Sequence, residues 1–93
     1  MTNKILALDC AHETCSVAVT AGNDVIAFQT AEMERGQAEA LIPMVQSVMK
    51  RANVDFSDLS CIAVSTGPGS FTGVRVGLAA ADGLAMAANL PEV

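Results

Sequence analysis

Residues 4–30, KILALDCAHETCSVAVTAGNDVIAFQT, decide the fold. Residues 4–9 form a short apolar run, which is typical of a strand buried on both faces. Residues 14–20 and 25–30 are rich in β-branched side chains, and the turn formers at 21–24 separate them. The segment therefore predicts one strand followed by an antiparallel hairpin, so that three strands precede any helix.

The next segment has the periodicity of an amphipathic helix. Its apolar face comprises Ala38, Leu41, Ile42, Val45, Met49 and Ala52. Pro43 interrupts this face, so either the regular helix starts just before Pro43 or the first turn is kinked there. Residues 53–60 form a polar connector in which Ser57 and Asp58 can start a short turn. Residues 61–65 predict another short buried strand.

The glycine-rich segment 67–77, GPGSFTGVRVG, joins this strand to a second helix predicted over residues 74–89. Nine of the sixteen residues 73–88 are Gly or Ala, and only Arg75 and Asp82 are charged. A helix that is apolar nearly all round is buried on most sides. The order β-β-β-α-β-α indicates an α/β fold with a mixed sheet and flanking helices. The ribonuclease-H-like lobe of the actin and sugar-kinase superfamily begins in this order.

Composition restricts the function classes. The chain has 93 residues, which fit a single domain over residues 1–93. It is 52% hydrophobic with three Phe and neither Trp nor Tyr, which excludes disorder and argues against base-stacking nucleic-acid modules. A net charge of −5 argues against a surface that binds the phosphate backbone of a nucleic acid directly. Neither a signal peptide nor a membrane-spanning segment is predicted, so the expected location is the cytoplasm.

The strand–loop–helix pattern at the glycines suggests an anion site, because backbone N–H groups and a helix N-terminus attract phosphate. Gly67, Gly69 and Ser70 are the candidate residues there. Asp9 joins them, since in actin-like nucleotide sites, which this order of elements resembles, an acid at the end of the first strand holds metal or water near the phosphates. ATP with Mg²⁺ is therefore the candidate ligand. The loop lacks the spacing of the known phosphate-binding motifs, and residues 10–14 lack glycine.

Other interpretations of the same residues remain open. The glycines can simply permit a tight turn, with Ser70 or Thr72 as the N-cap of the following helix. Asp9 can cap its strand. The loop can also present Phe71 and Arg75 to another protein.

Candidates for catalysis are few. His12 is the single histidine, and no third group is evident that would orient it toward Cys10 or Cys15 as a nucleophile. The three cysteines lack C-x-x-C spacing, and one histidine with scattered acids does not make a metal site. The sequence therefore predicts no catalytic residue and no metal ligand.

Three stretches together resemble the TsaB (YeaZ) family: ILALDCAHETCSVAV at 5–19, LIPMV at 41–45 and the block at 67–77. The resemblance covers all 93 residues. It implies an actin-like, two-lobed fold and a non-catalytic role in making threonylcarbamoyladenosine beside the tRNA anticodon. It also implies that the chain is truncated before a second lobe of comparable size.

The resemblance further implies partners. Members pair through the N-terminal lobe with the catalytic paralogue TsaD, recruit the ATPase TsaE, and form homodimers through the same lobe. Gln37 stands where many members have a histidine, so the metal-binding histidines of TsaD are missing here. This favours neither metal-assisted transfer nor the proteolysis suggested by older glycopeptidase-like names.

Two main function hypotheses follow. In the first, the chain is a scaffold whose apolar helices bind TsaD or a second copy, because surplus apolar surface usually marks an interface. The predicted interface residues are Leu41, Val45, Phe71, Arg75, Gly77, Leu78 and Ala81. The alternative is the nucleotide-binding lobe of an actin-like phosphotransferase.

Overall fold

The computed structural model describes residues 3–11, 14–32, 37–64 and 71–91. The elements are β1 (Lys4–Ala11), β2 (Thr14–Ala21), β3 (Asp24–Glu32), α1 (Gln37–Ala52), a 3-10 turn (Phe56–Asp58), β4 (Cys61–Val64) and α2 (Phe71–Ala88). The predicted order β-β-β-α-β-α is confirmed.

The four strands form one mixed sheet in the order β3-β2-β1-β4. β1, β2 and β3 are antiparallel neighbours, whereas β4 lies parallel to β1. Gly22, whose φ of 62° lies in the left-handed region, turns the chain between β2 and β3. Its N–H donates to the Asn3 carbonyl at 2.9 Å, which ties the turn to the start of β1.

Side chains alternate across the sheet, so one face collects the large apolar residues. Leu6 pairs with Val19 of β2 and with Ile62 of β4, and all three are fully buried. Both helices cover this face: α1 packs on β2 and β3, and α2 packs on β1 and β4. Leu41 from α1 and Ala81 from α2 belong to the same core cluster.

The opposite face carries smaller side chains. Three partly buried alanines lie side by side there: Ala18 of β2, Ala7 of β1 and Ala63 of β4. Phe28 of β3 flanks them and is exposed. Within the described ranges, neither helix covers this face.

Pro43 lies inside α1, which begins six residues earlier at Gln37. Of the two alternatives that Pro43 left open, a regular helix that starts just before Pro43 is therefore wrong. Proline removes only one intrahelical hydrogen bond, to the carbonyl four residues before it. Pro43 is exposed, while Leu41, Met44 and Val45 around it are buried. Burial of that apolar face holds the helix through the proline.

α2 begins at Phe71, three residues before the predicted start. α2 includes Gly73, because a glycine inside a helix costs at most about 1 kcal/mol. Both helices end in a Schellman motif, with Asn53 and Asn89 in the left-handed conformation at φ 56° and 57°. At the end of α1, the N–H of Val54 donates to Met49 and the N–H of Asn53 donates to Lys50.

Candidate functional site

The sequence-predicted nucleotide residues fall at one edge of the sheet. Asp9 is exposed near the carboxyl end of β1, one position beyond the pairing of Leu8 with Val64, the last residue of β4. The chain thus leaves β4 beside Asp9. Gly67, Gly69 and Ser70 follow in the sequence and lie outside the described residues.

An open depression of about 480 Å³ lies beside Asp9. Ala7, Ala18 and Ala63 form its floor on the face that the helices leave free, and Phe28 and Ser16 line its wall. The described lining is mainly apolar, with one carboxylate from Asp9 and one hydroxyl from Ser16. Such a lining suits contact with an apolar group, while the carboxylate could take part in holding a cation at the rim.

The structure corrects three predicted interface residues. Leu41, Val45 and Ala81 have no exposed surface, because they fill the core between the helices and the sheet. A partner cannot touch these side chains while the chain is folded. The sequence pattern could not separate them from their neighbours, since a core face and an interface face are both apolar.

The other four predicted interface residues lie on α2. Phe71 is its first residue, and Arg75, Gly77 and Leu78 follow in its first two turns. Their side chains lie outside what the structure describes.

The helix layer has an exposed side that is itself partly apolar. Ile42 is 37% exposed and Met86 is 83% exposed. Gln46, Ala79 and Gly83 are exposed on the same two helices. We call these five residues the outer helix surface. A Cβ added at Gly83 would meet no atom within 4 Å, so the backbone of α2 is open to close approach there.

A second exposed apolar strip follows β3, where Val25, Ile26 and Phe28 are 62%, 41% and 53% exposed. Sequence reasoning missed this strip because residues 25–30 look like an ordinary half-buried strand. Only the sheet order, with β3 outermost among the described strands, shows that these side chains lie at an edge.

The described residues hold no group of three His, Cys, Asp or Glu side chains placed to bind a metal ion. Cys15 is buried and Cys61 is half-buried, and both are free thiols. His12 lies outside the described residues, as does the side chain of Cys10. In the same part of the chain, no helix is long and apolar enough to span a membrane.

Comparisons with known proteins agree with this architecture. The family model described as "TsaD: tRNA N6-adenosine threonylcarbamoyltransferase" matches residues 25–93. The Escherichia coli K12 protein named "tRNA threonylcarbamoyladenosine biosynthesis protein TsaB" is 42% identical over 91 residues, covering 97% of this chain and 38% of the relative. The chain belongs to the TsaB (YeaZ) family. The predicted resemblance is thereby confirmed.

Solved structures of the TsaB (YeaZ) family confirm the fold class. The structure of YeaZ from Pseudomonas aeruginosa has a TM-score of 0.90 to this chain at 36% identity, covering 98% of this chain and 42% of that one. A tRNA N6-adenosine threonylcarbamoyltransferase of Erythrobacter litoralis is 51% identical over 59 residues, which are 63% of this chain and 17% of that protein. The chain spans about two fifths of the length of the TsaB relatives that it matches.

Proposed function

We propose that this chain serves threonylcarbamoyladenosine biosynthesis in tRNA as a non-catalytic scaffold that binds the catalytic protein TsaD. The observation that carries the proposal is the match to TsaB along 97% of the chain. We further propose that residues 1–93 form one actin-like lobe and that the transfer reaction belongs to the partner. This proposed role in tRNA modification implies a cytoplasmic location.

The outer helix surface is the proposed contact with TsaD. Exposed apolar side chains on an otherwise acidic chain favour a protein partner over the tRNA backbone. Ile42 and Met86 offer apolar contact area, and the open backbone at Gly83 lets a partner helix approach closely. Phe71, Arg75, Gly77 and Leu78 would extend the contact along α2.

The same surface is proposed to mediate self-association when TsaD is absent. A two-fold axis would pack the outer helix surfaces of two copies against each other as an isologous dimer. TsaE is proposed as a further partner of the complex. Competition between the dimer and the TsaD complex follows directly, because both need one surface.

Titration of TsaD into the chain by calorimetry tests this proposal. Gly83→Leu fills the open space above α2, and Ile42→Glu places a charge in the apolar contact. Each should weaken binding at least about tenfold, since about 1.4 kcal/mol gives that factor. Phe28→Ser, which changes an exposed residue on β3, is the matched control and should bind normally. A folded wild-type chain that forms no complex with TsaD contradicts the proposal.

A nucleotide site at the sheet edge is the second candidate function. It is favoured by the position of Asp9, because ligands of α/β sheets bind at the carboxyl ends of strands. Gly67, Gly69 and Ser70 would complete the site. Calorimetry with ATP and Mg²⁺ should then give saturable heat that Asp9→Asn diminishes. The absence of saturable heat with the wild-type chain would remove this candidate.

A further inference from the structure

The register of the sheet fixes which backbone groups of β3 face outward. Opposite residues in antiparallel strands alternate between bonded and non-bonded pairs. The bond from Gly22 to Asn3 places the Ala7–Ala18 pair among the bonded ones. The backbone groups of Ala18 thus point to β1. Phe28, its partner in β3, therefore turns its own N–H and C=O away from the sheet.

Arg51 covers that outward carbonyl. This residue lies in the last turn of α1, and its Nη2 donates to the Phe28 carbonyl at 3.1 Å. The same nitrogen donates to Oε1 of Gln29 at 3.0 Å. Two acceptors hold one guanidinium nitrogen, so the side chain is fixed over the middle of the strand.

The covered edge would otherwise be a template for pairing. β3 is nine residues long and has no neighbour on its outer side among the described strands. Val25, Ile26 and Phe28 leave it apolar and exposed. Long, apolar, unpaired edges recruit strands from other chains, and proteins protect them with charged side chains.

We propose that Arg51 blocks pairing of the β3 edge with the β3 edge of a second copy. Around a two-fold axis, two antiparallel β3 strands would join the sheets of two chains into one. The Phe28 carbonyl lies in the middle of that ladder, so the guanidinium must leave before the ladder can form. This inference concerns a different surface from the outer helix surface and does not depend on the proposed function.

Arg51→Ala tests the inference, with Lys50→Ala as the matched control. Both substitutions remove one positive charge from the exposed last turn of α1. Sedimentation velocity is run over a concentration series for both variants and the wild type. Pairing would set Asp24 of one copy opposite Glu32 of the other, so the experiments use about 0.5 M salt to screen like charges.

Arg51→Ala should raise the self-association constant at least about tenfold over Lys50→Ala. Hydrogen exchange at the outward Phe28 N–H should slow as the concentration of this variant rises. Ile26→Lys, added to Arg51→Ala, should reverse both effects by placing a charge on the edge.

Equal association of Arg51→Ala and Lys50→Ala would overturn the inference. So would association without protection of the Phe28 N–H, because that result would place the contact elsewhere, for example on the outer helix surface. Circular dichroism checks the fold of each variant. If Arg51→Ala does not fold, Gln29→Ala replaces it, since the guanidinium is then held by the Phe28 carbonyl alone and leaves the edge more easily, which should also increase edge pairing.

Discussion

Mutation of two adjacent residues of α1 should affect different properties: stability at Leu41 and TsaD binding at Ile42. Leu41 is completely buried, whereas Ile42 is 37% exposed. Leu41→Ala loses the transfer free energy of the removed apolar atoms and leaves a cavity. At fully buried sites the two effects together cost about 3–4 kcal/mol. A 93-residue domain has a total stability of about 5–14 kcal/mol at typical values per residue. The substitution should therefore remove a large part of the stability.

Ile42→Ala should cost much less. About two thirds of this side chain is hidden, which corresponds to roughly 1–2 kcal/mol of apolar burial. Alanine regains a few tenths of a kcal/mol in helix propensity, so the net loss is about 1 kcal/mol. For a domain of this size, each kcal/mol lowers the Tm by about 4–8 °C.

Urea unfolding and TsaD titration together give the required comparison. Leu41→Ala should unfold at much lower urea, yet its folded fraction should bind TsaD like the wild type. Ile42→Ala should lower stability little and weaken binding. Equal loss of stability in the two variants would refute the assigned burial, and weaker binding by Leu41→Ala alone would refute the outer helix surface as the contact.

Substitutions at three further positions test the packing of α2 and the C-terminal cap of α1. Gly83→Ala should raise the free energy of unfolding in urea by up to about 1 kcal/mol, because alanine favours the helix and its methyl group meets open space. A lower free energy of unfolding would show that the site is not open. Ala81→Leu should destabilise by about 1–3 kcal/mol by overpacking the core, and unchanged stability would show a cavity there. Asn53→Val should lower the Tm, because a β-branched residue is strained at φ 56°. Asn53→Gly should not lower it, because glycine adopts this conformation freely. Equal Tm values for the two variants would contradict the left-handed cap.

Much of the fold was predictable because its signals are local. The apolar run of β1 and the turn formers before β3 are enough to give three strands before the first helix. The helix limits were less predictable. Pro43 suggested a helix start just before it or a kinked first turn, whereas α1 starts at Gln37. Asn89 was assigned to the second helix, although it occupies the left-handed position after that helix.

The site was less predictable than the fold. Leu41 and Ile42 are both large, apolar and adjacent, so the sequence cannot say which of them faces the core. The structure decides this through the placement of α1 on β2 and β3. The contact of Arg51 with Phe28 joins residues 23 positions apart, and no local pattern signals it. In both cases the deciding information is the relative placement of distant elements.

Oxidation of methionine by peroxide shows whether TsaD covers the outer helix surface. Met86 is 83% exposed, whereas Met44 and Met49 are 5% and 4% exposed and serve as internal references. In the free chain, mass spectrometry should find Met86 oxidised much faster than either reference. A saturating concentration of TsaD should strongly slow the oxidation of Met86 and leave the oxidation rates of Met44 and Met49 unchanged. If Met86 is oxidised equally fast in the TsaD complex, TsaD does not bind through the outer helix surface.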